Sequence, residues 1–333
     1  MTTRSLRPCK AKNPLTCPHH GAQLRADTAL ENGSIADYLT AKGDADKLAL
    51  ADPKPSKDIS YEYSGTTMTA QGGLTLYQIR AIRDIPNQGV KKGDIGGWVS
   101  LGLLYGGYPR ISENAWVSGD AQVFGNARVR ANAIISGNAK VFGNSQVSGE
   151  SKVSGNAQVY GNASVQGNAE VTDNTVVTGD AIIANDARVS GQAQVYEAAE
   201  IYENAQLSGN AQAYGNAQLS GSSSATDSAK VYGYAKVSGN AQVYGEAQIY
   251  GDASIEDDAQ IFDDATISGH AQVSGHAHIS GNAQVAGRAT VSGDAWVYGQ
   301  AIVSGNAYAA GTVRLSRHDI VSGNTRLFEN GMS

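Results

Sequence analysis

A six-residue repeat is clearest in NAQVYGEAQIYGDASIEDDAQIFDDATISGHAQVSGHAHISGNAQV, residues 240–285. An aliphatic residue returns at every sixth position, and an alanine stands two residues before each one. A period of six is neither the 3.6 residues of an α-helix nor the plain alternation of a long strand. It predicts a short repeated element of the kind that solenoids stack. The aliphatic residues are Val243, Ile249, Ile255, Ile261, Ile267, Val273, Ile279 and Val285.

The same period runs through most of the chain. In steps of six from Val117, every position through Leu327 holds Val, Ile, Leu or, three times, Ala, which makes 36 consecutive units without an insertion or deletion. Ile111 extends the register backwards by one unit. A typical unit reads Ala-Gln-Val-Tyr/Ser-Gly-Asn. Residues 111–330 are therefore predicted to form one repeat region.

Each unit is predicted to be a four-residue strand followed by a sharp corner. Ala, Gln, Val and Tyr or Ser alternate inward and outward, as strand residues do. Gly and Asn then break the alternation, and both tolerate the positive φ that a corner requires. Ala and Val are expected to fill a narrow interior, while Gln and Tyr or Ser face outward.

The outward position after Val indicates how many units make one coil. In steps of 18 from Phe124, seven of the eight residues are aromatic and Thr178 is the exception, whereas steps of 12 give a mixed set. Three units per coil are therefore predicted, giving about 12 coils and a column roughly 58 Å tall at the usual strand spacing. The aromatic residues are Phe124, Phe142, Tyr160, Tyr196, Tyr214, Tyr232 and Tyr250.

The unit resembles the hexapeptide repeat of left-handed parallel β-helices, from Ile111 to about Leu327. The resemblance implies an all-β, three-sided, left-handed parallel β-helix. It implies less about activity, because many members of that family are acyltransferases while others are structural. Left-handed β-helices of this kind are often trimers, so the resemblance also implies a homotrimer.

The segment before the repeat predicts a cap. Residues 74–100, LTLYQIRAIRDIPNQGVKKGDIGGWVS, indicate a strand, a turn at residues 86–93 and a second strand through Trp98. A hairpin there would cover the open sheet edge of the first coil. With ENAWVSGDAQV after it, the segment resembles the entry module of uncharacterised bacterial and phage hexapeptide-repeat proteins, some of them labelled acetyltransferases on repeat similarity alone. Residues 59–110 are assigned to this cap.

The last coil carries a predicted stop. Asp319 occupies the inward position that Ala holds in other units. An inward charge beside an open sheet edge opposes the addition of further strands.

The first 58 residues differ in composition from the rest. Residues 1–110 carry a net charge of +4, whereas the chain from Ile111 onward carries −10. Residues 1–58 are predicted to be a basic, partly helical leader and linker. Cys9 and Cys17, with His20 or the adjacent His19, are ligand types that suit Zn²⁺. Zinc binding by the leader and a leader without metal both remain open.

A catalytic site is not predicted. Hexapeptide acyltransferases typically place a catalytic His on a loop that leaves the helix, and here no loop is inserted between the units.

One group of side chains could still carry chemistry, because Asp258, His276 and Asp294 are spaced by 18 and should stack on one corner. Such a stack could hold a cation or serve acid–base chemistry. The alternative is surface substitution with a weak vertical ion pair.

The aromatic column is the predicted partner surface. Seven rings on one outer side would expose an apolar stripe that monomers seldom tolerate. The predicted partner is another copy of the chain, another protein, or a glycan that stacks on the rings. The alternative is the ordinary β-propensity of aromatic residues.

Charge and hydropathy exclude other partners. A duplex of the column's height would carry roughly 34 charges, against the net −10 of the repeat region, so DNA mimicry is discounted. The negative sign opposes nucleic-acid binding. No apolar run approaches the ~18 residues of a membrane span, and the N-terminus does not resemble a signal peptide. A cytoplasmic or virion-associated protein is expected.

The sequence thus predicts a non-catalytic structural or binding β-solenoid, and the resemblance of the cap segment implies that it is phage-encoded. The alternative is a hexapeptide-type acyltransferase that uses acyl-CoA. No cofactor is predicted beyond the zinc of the leader.

Overall fold

The computed structural model describes residues 59–70, 73–101 and 110–329. The predicted leader, including its helices and the zinc ligands Cys9, Cys17 and His20, lies outside the described residues. In the described part, the only helical segment is a 3₁₀ turn at Pro86–Gln88, and no helix has the length and apolar character needed to cross a bilayer.

Three strands form the cap: β1 (Tyr61–Thr69), β2 (Thr75–Ala81) and β3 (Ile95–Ser100). The chain then forms 36 short strands, β4 to β39, that fall into three parallel sheets visited in turn. The sheets confirm the three-sided β-helix of about 12 coils.

Sheet 1 comprises β4 (Trp116–Val117), β7 (Ile134–Ile135), β10 (Lys152–Val153), β13 (Glu170–Val171), β16 (Arg188–Val189), β19 (Gln206–Leu207), β22 (Ser224–Ala225), β25 (Gln242–Val243), β28 (Gln260–Ile261), β31 (His278–Ile279), β34 (Trp296–Val297) and β37 (Arg314–Leu315).

Sheet 2 continues the cap and comprises β5 (Gln122–Val123), β8 (Lys140–Val141), β11 (Gln158–Val159), β14 (Val176–Val177), β17 (Gln194–Val195), β20 (Gln212–Ala213), β23 (Lys230–Val231), β26 (Gln248–Ile249), β29 (Thr266–Ile267), β32 (Gln284–Val285), β35 (Ile302–Val303) and β38 (Ile320–Val321).

Sheet 3 comprises β6 (Arg128–Val129), β9 (Gln146–Val147), β12 (Ser164–Val165), β15 (Ile182–Ile183), β18 (Glu200–Ile201), β21 (Gln218–Leu219), β24 (Lys236–Val237), β27 (Ser254–Ile255), β30 (Gln272–Val273), β33 (Thr290–Val291), β36 (Tyr308–Gly311) and β39 (Arg326–Glu329).

The regular strands are two residues long, shorter than the four predicted, but the flanking residues also bond from coil to coil. Gln122 and Phe124 donate their N–H groups to the carbonyls of Ala139 and Val141, at 2.9 and 3.1 Å. Strand partners differ by 18 residues, as in Gln158 with Val176. The alanine and aliphatic positions form one buried core along the column. Each coil therefore completes the hydrogen bonding and burial of its neighbours.

The corner has one left-handed residue, not two. The first corner position, usually Gly, has φ of 64 to 80° where it is Gly and 53 to 61° where it is another residue. The second position, usually Asn, has no positive φ in the described repeat. Its side chains bond vertically instead, as Asn126 donates to Asn144 at 3.0 Å and Asn144 to Asn162 at 3.1 Å. Both residues tolerate a positive φ, but within the described repeat only the first corner position adopts one.

Carboxylates replace Gly at several corners because they satisfy a backbone group. Asp173 Oδ2 accepts from the N–H of Gly191, one coil on, at 2.8 Å, and Asp257 Oδ2 accepts from Gly275 at 2.9 Å. The hydrogen bond offsets part of the strain of a left-handed residue with a side chain.

The cap contains the predicted hairpin, β2 and β3, within a three-stranded antiparallel meander. The additional strand is β1, which pairs with β2, and β2 pairs with β3. The third strand pairs in parallel with β5, with Trp98 opposite Gln122, so the cap extends sheet 2. The buried Arg110 anchors the join, because its Nε donates to the carbonyl of Gly125 at 3.0 Å.

At the C-terminal end, the Asp319 side chain is exposed and bonds back to its own corner, in place of the expected position in the core. The N–H of Ser316 donates to Asp319 Oδ2 at 2.8 Å. One coil earlier, the equivalent N–H of Tyr298 donates to the next coil, at Leu315 O. The Asp319 carboxylate thus accepts the hydrogen bond from Ser316 N–H that a carbonyl of a further coil would otherwise accept.

Where glycine holds the corner, the closeness of the next coil should determine how much its replacement costs. A Cβ would lie 2.7 Å from Asp173 N at Gly155, 3.2 Å from Gly137 O at Gly119, and within 4 Å of nothing at Gly323. All three have φ of 65 to 68°. Alanine there should cost roughly 1–2 kcal/mol in left-handed strain, and overpacking should add about 1–3 kcal/mol at Gly155. The denaturant midpoint should fall most for Gly155→Ala, less for Gly119→Ala and least for Gly323→Ala. Equal losses in the three variants would contradict the packing explanation.

Candidate functional site

The aromatic residues predicted from the 18-residue spacing share one side of the column. Each directly follows a sheet 2 strand, so the coil-to-coil register of that sheet positions them one above another. Phe124 stacks on Phe142 with ring centroids 4.9 Å apart, and Phe142 stacks on Tyr160 at 4.8 Å. The prediction of a shared side is confirmed.

Below Thr178 the column continues as four stacked tyrosines, which we call the tyrosine ladder: Tyr196, Tyr214, Tyr232 and Tyr250. Successive ring centroids are 4.8, 4.8 and 5.0 Å apart, and the planes differ by 3 to 11°. These separations match the spacing of neighbouring strands. The backbone register therefore sets the stacking distance.

The cap covers the upper end of the column. Phe124 and Phe142 are 3% and 0% exposed and form a hydrophobic cluster with Leu74 and Leu76 of the cap segment, and Tyr160 packs against it. The expectation of seven rings on an open surface is therefore wrong for Phe124 and Phe142. Phenylalanine occupies the covered positions, and tyrosine occupies the half-buried ones, where a hydroxyl reaches solvent.

Three ladder tyrosines, Tyr196, Tyr214 and Tyr232, hold their protons more tightly than free tyrosine does. Burial is the largest cause of the raised pKa values of Tyr196, Tyr214 and Tyr232. Charge repulsion adds to it, from Glu197 at Tyr196 and from neighbouring ladder tyrosines at Tyr214 and Tyr232. The hydroxyls are therefore neutral donors and acceptors at neutral pH.

Stacking determines what the ladder can present to a ligand. Tyr214 and Tyr232 each have a ring on both faces, so only their edges and hydroxyls point outward. A sugar stacks on the face of an aromatic ring, which leaves the ends of the ladder as the positions for such contact. The ladder interior presents a row of hydroxyl-bearing edges repeated every 4.8 to 5.0 Å.

The predicted corner stack of Asp258, His276 and Asp294 is brought together in part. His276 Nδ1 lies 3.7 Å from Asp258 Oδ2. The His276 side chain is 67% exposed and the Asp258 side chain 49%. Asp258 also accepts from Asn240 at 2.9 Å. Across the described residues, no group of three or more His, Cys, Asp or Glu side chains is arranged to hold a metal ion. An exposed ion pair of this kind contributes little stability.

A second stacked group lies on sheet 1, near the C-terminal end. His278 packs on Trp296 with ring centroids 4.5 Å apart, as the spacing of 18 predicts. Arg314, which the sequence analysis missed, lies one coil further with Cζ 5.8 Å from the Trp296 ring centroid. The spacing of 18 would have found this cation–π pair.

A shallow groove of about 410 Å³ is lined by Asn282, Gln284, Gln300, Ile302, His318 and Ile320.

Comparison with known proteins supports the repeat. Four stretches match the family model described as the YdcK beta solenoid repeat: residues 121–136, 157–171, 259–275 and 283–299. Each stretch is about one coil long, and together they cover less than half of the chain. A comparison with curated proteins found no match. The matches and the parallel sheets together identify a β-solenoid repeat protein.

The raised pKa values predict a loss of stability at alkaline pH. Below the unfolded tyrosine pKa of about 10, the ladder is protonated in both states and its contribution is complete. As pH rises further, the unfolded tyrosines ionise first, so unfolding becomes more favourable until the folded ladder ionises. We expect the thermal midpoint to fall with increasing slope above this pH, and absorbance at 295 nm to show late-titrating tyrosines.

The matched variant is Tyr196→Phe with Tyr214→Phe and Tyr232→Phe, which keeps the rings and removes three titrating groups. It should reduce the alkaline slope, and Tyr61 and Tyr244, whose pKa values burial also raises, should retain the rest. An unchanged slope would mean that the ladder is not its cause.

Proposed function

We propose that this protein is a non-catalytic structural or binding β-solenoid, and that the tyrosine ladder is the centre of its contact with other copies of the chain. The observation that carries the proposal is the set of four stacked, half-buried tyrosines on one side of an uninterrupted column. Tyrosine is enriched among the residues that dominate binding energy at interfaces.

The repeat of the ladder favours a second copy as the partner. Its edges recur every 4.8 to 5.0 Å, and a partner with the same repeat can make an equivalent contact at every coil. Another copy of this chain has that repeat along its whole column. A homotrimer is the assembly that the resemblance to left-handed β-helices implies, and it belongs to this proposal.

The ladder alone is too small for a stable interface. Four coils of a four-residue-wide side cover about 19 by 13 Å, roughly 250 Å², whereas each partner in a standard interface contributes about 800 Å². The contact must therefore extend beyond this area, which already includes the polar column of sheet 2 beside the ladder. That column holds Gln194, Gln212, Lys230 and Gln248, and Tyr232 Oη lies 3.5 Å from Gln248 Oε1.

A phage origin and a cytoplasmic or virion location are part of the same proposal. They rest on the resemblance of the cap segment to the entry modules of phage and bacterial hexapeptide-repeat proteins.

Removal of ladder tyrosines should lower the oligomeric mass. Serine occupies the same column at Ser268, Ser304 and Ser322, so Tyr196→Ser with Tyr214→Ser should leave the fold intact. Multi-angle light scattering should then give a smaller mass than the unmodified protein gives at equal concentration. The matched control, Tyr202→Ser with Tyr244→Ser, removes tyrosines from the equivalent positions of sheets 3 and 1 and should leave the mass unchanged. Equal masses for all three proteins would refute the interface.

The alternative function, an acyl-CoA-dependent acyltransferase, can be tested by calorimetry with acetyl-CoA. In residues 116–329 the strands follow one another every six residues without an inserted loop. We therefore expect no saturable heat of binding. Saturable binding would instead support the acyltransferase and argue against a purely structural role.

A further inference from the structure

The aromatic column is interrupted at Thr178, a half-buried residue that carries no ring, and we call this position the vacant rung. Tyr160 lies one coil above this residue and Tyr196 one coil below, and both carry rings. The backbone register is unbroken there, because Tyr160 N donates to Val177 O at 3.0 Å and Thr178 N donates to Val195 O at 2.9 Å. The two rings are therefore held about two strand spacings apart, roughly 9.6 Å.

This separation fits one planar group. Rings elsewhere in the column stack 4.8 to 5.0 Å apart, so a flat group at the Thr178 rung would lie at that distance from the ring above and from the ring below. Tyr160 packs on the cap cluster on its upper side, so its lower face is the one turned to the rung.

The charge around the rung is negative. Asp180 follows Thr178 at the corner, and one of its carboxylate oxygens accepts from Asn162 at 2.9 Å. Glu197 follows Tyr196, and its charge contributes to the raised pKa of that tyrosine. Among the outward positions of the sheet 2 strands, the nearest cations are Lys140, two coils above, and Lys230, three coils below.

A guanidinium already lies over an aromatic ring elsewhere in this protein. Arg314 lies one coil from Trp296 with its guanidinium over the indole ring, at 5.8 Å. A guanidinium is planar, stacks on aromatic faces and pairs with carboxylates. At the Thr178 rung it would lie within the ~6 Å that cation–π attraction requires, from two rings at once.

We propose that the rung between Tyr160 and Tyr196 receives the guanidinium of an arginine in a basic segment of a protein partner, with Asp180 and Glu197 supplying the opposite charge. The inference rests on the proposed binding role of this side of the column, and it names the chemistry of a partner other than a second copy.

The test uses N-acetyl-L-arginine amide as the probe, with the corresponding lysine and citrulline amides for comparison. The methyl resonances of Val176 and Thr178, followed by NMR in the full-length protein, report on the rung. The arginine probe should shift them with a Kd on the order of millimolar. The citrulline probe, which is planar but neutral, and the lysine probe, which is charged but not planar, should each bind about tenfold more weakly.

The decisive variant is Thr178→Tyr, which fills the rung with the residue that the column carries elsewhere. It should abolish the shift at Val176. The matched control, Ser268→Tyr, adds a ring below Tyr250 and leaves the rung vacant, so it should bind the probe as the unmodified protein does. Equal binding by both variants, or equal shifts from all three probes, would overturn the proposal.

Light scattering separates this inference from the proposed self-association. Thr178→Tyr should keep the mass of the unmodified protein, whereas the tyrosine-to-serine variant of the ladder should not. A lower mass for Thr178→Tyr would assign the rung to self-association and overturn the assignment to a basic partner.

Discussion

Hydrogen bonds from each coil to the next fix the position of every residue in the column. An N–H such as that of Gln122 donates to a carbonyl 17 residues later, and the pattern recurs along all three sheets. Because the interior is only wide enough for Ala and a branched aliphatic residue, no single coil buries enough apolar surface to be stable alone. Stability, register and the placement of surface groups thus follow from one repeated interaction.

The same interaction converts sequence spacing into surface chemistry. Residues 18 apart are vertical neighbours, which explains the stacked rings, the asparagine pairs at the corners and the contact of His270 Nδ1 with Asp252 Oδ2 at 3.3 Å. The spacing of the ladder follows from the backbone, which supplies the stacking distance. What varies from coil to coil is only which side chain occupies each position.

Most of the fold could be predicted because its determinants are local and periodic. The six-residue period and the step of 18 from Phe124 suffice for the parallel sheets and for the shared side of the aromatic column. The two corner residues were harder to separate, because Gly and Asn both accept a positive φ and only the structure shows that Asn bonds vertically instead.

The remainder depended on contacts between distant segments, which spacing does not encode. The strand β1 lacks the period of six, and burial of Phe124 and Phe142 depends on Leu74 and Leu76 reaching across from the cap. From the sequence, the Asp319 carboxylate could point inward or bond to its own corner. In the structure it accepts a hydrogen bond from the N–H of Ser316 at that corner. The vacant rung at Thr178 was visible as an exception in the aromatic series, but its meaning required knowledge of which rings are covered.

The difference between a unit of six and a coil of 18 has an evolutionary consequence. Gain or loss of a whole coil would leave every outward column on its own side. Gain or loss of a single unit would preserve the alternation of inward Ala and Val, yet transfer every downstream side chain to the adjacent side. A duplication too small to disturb the core could therefore separate Tyr196 from the side that carries Tyr160, and so rewrite the outer surface of the protein in one step.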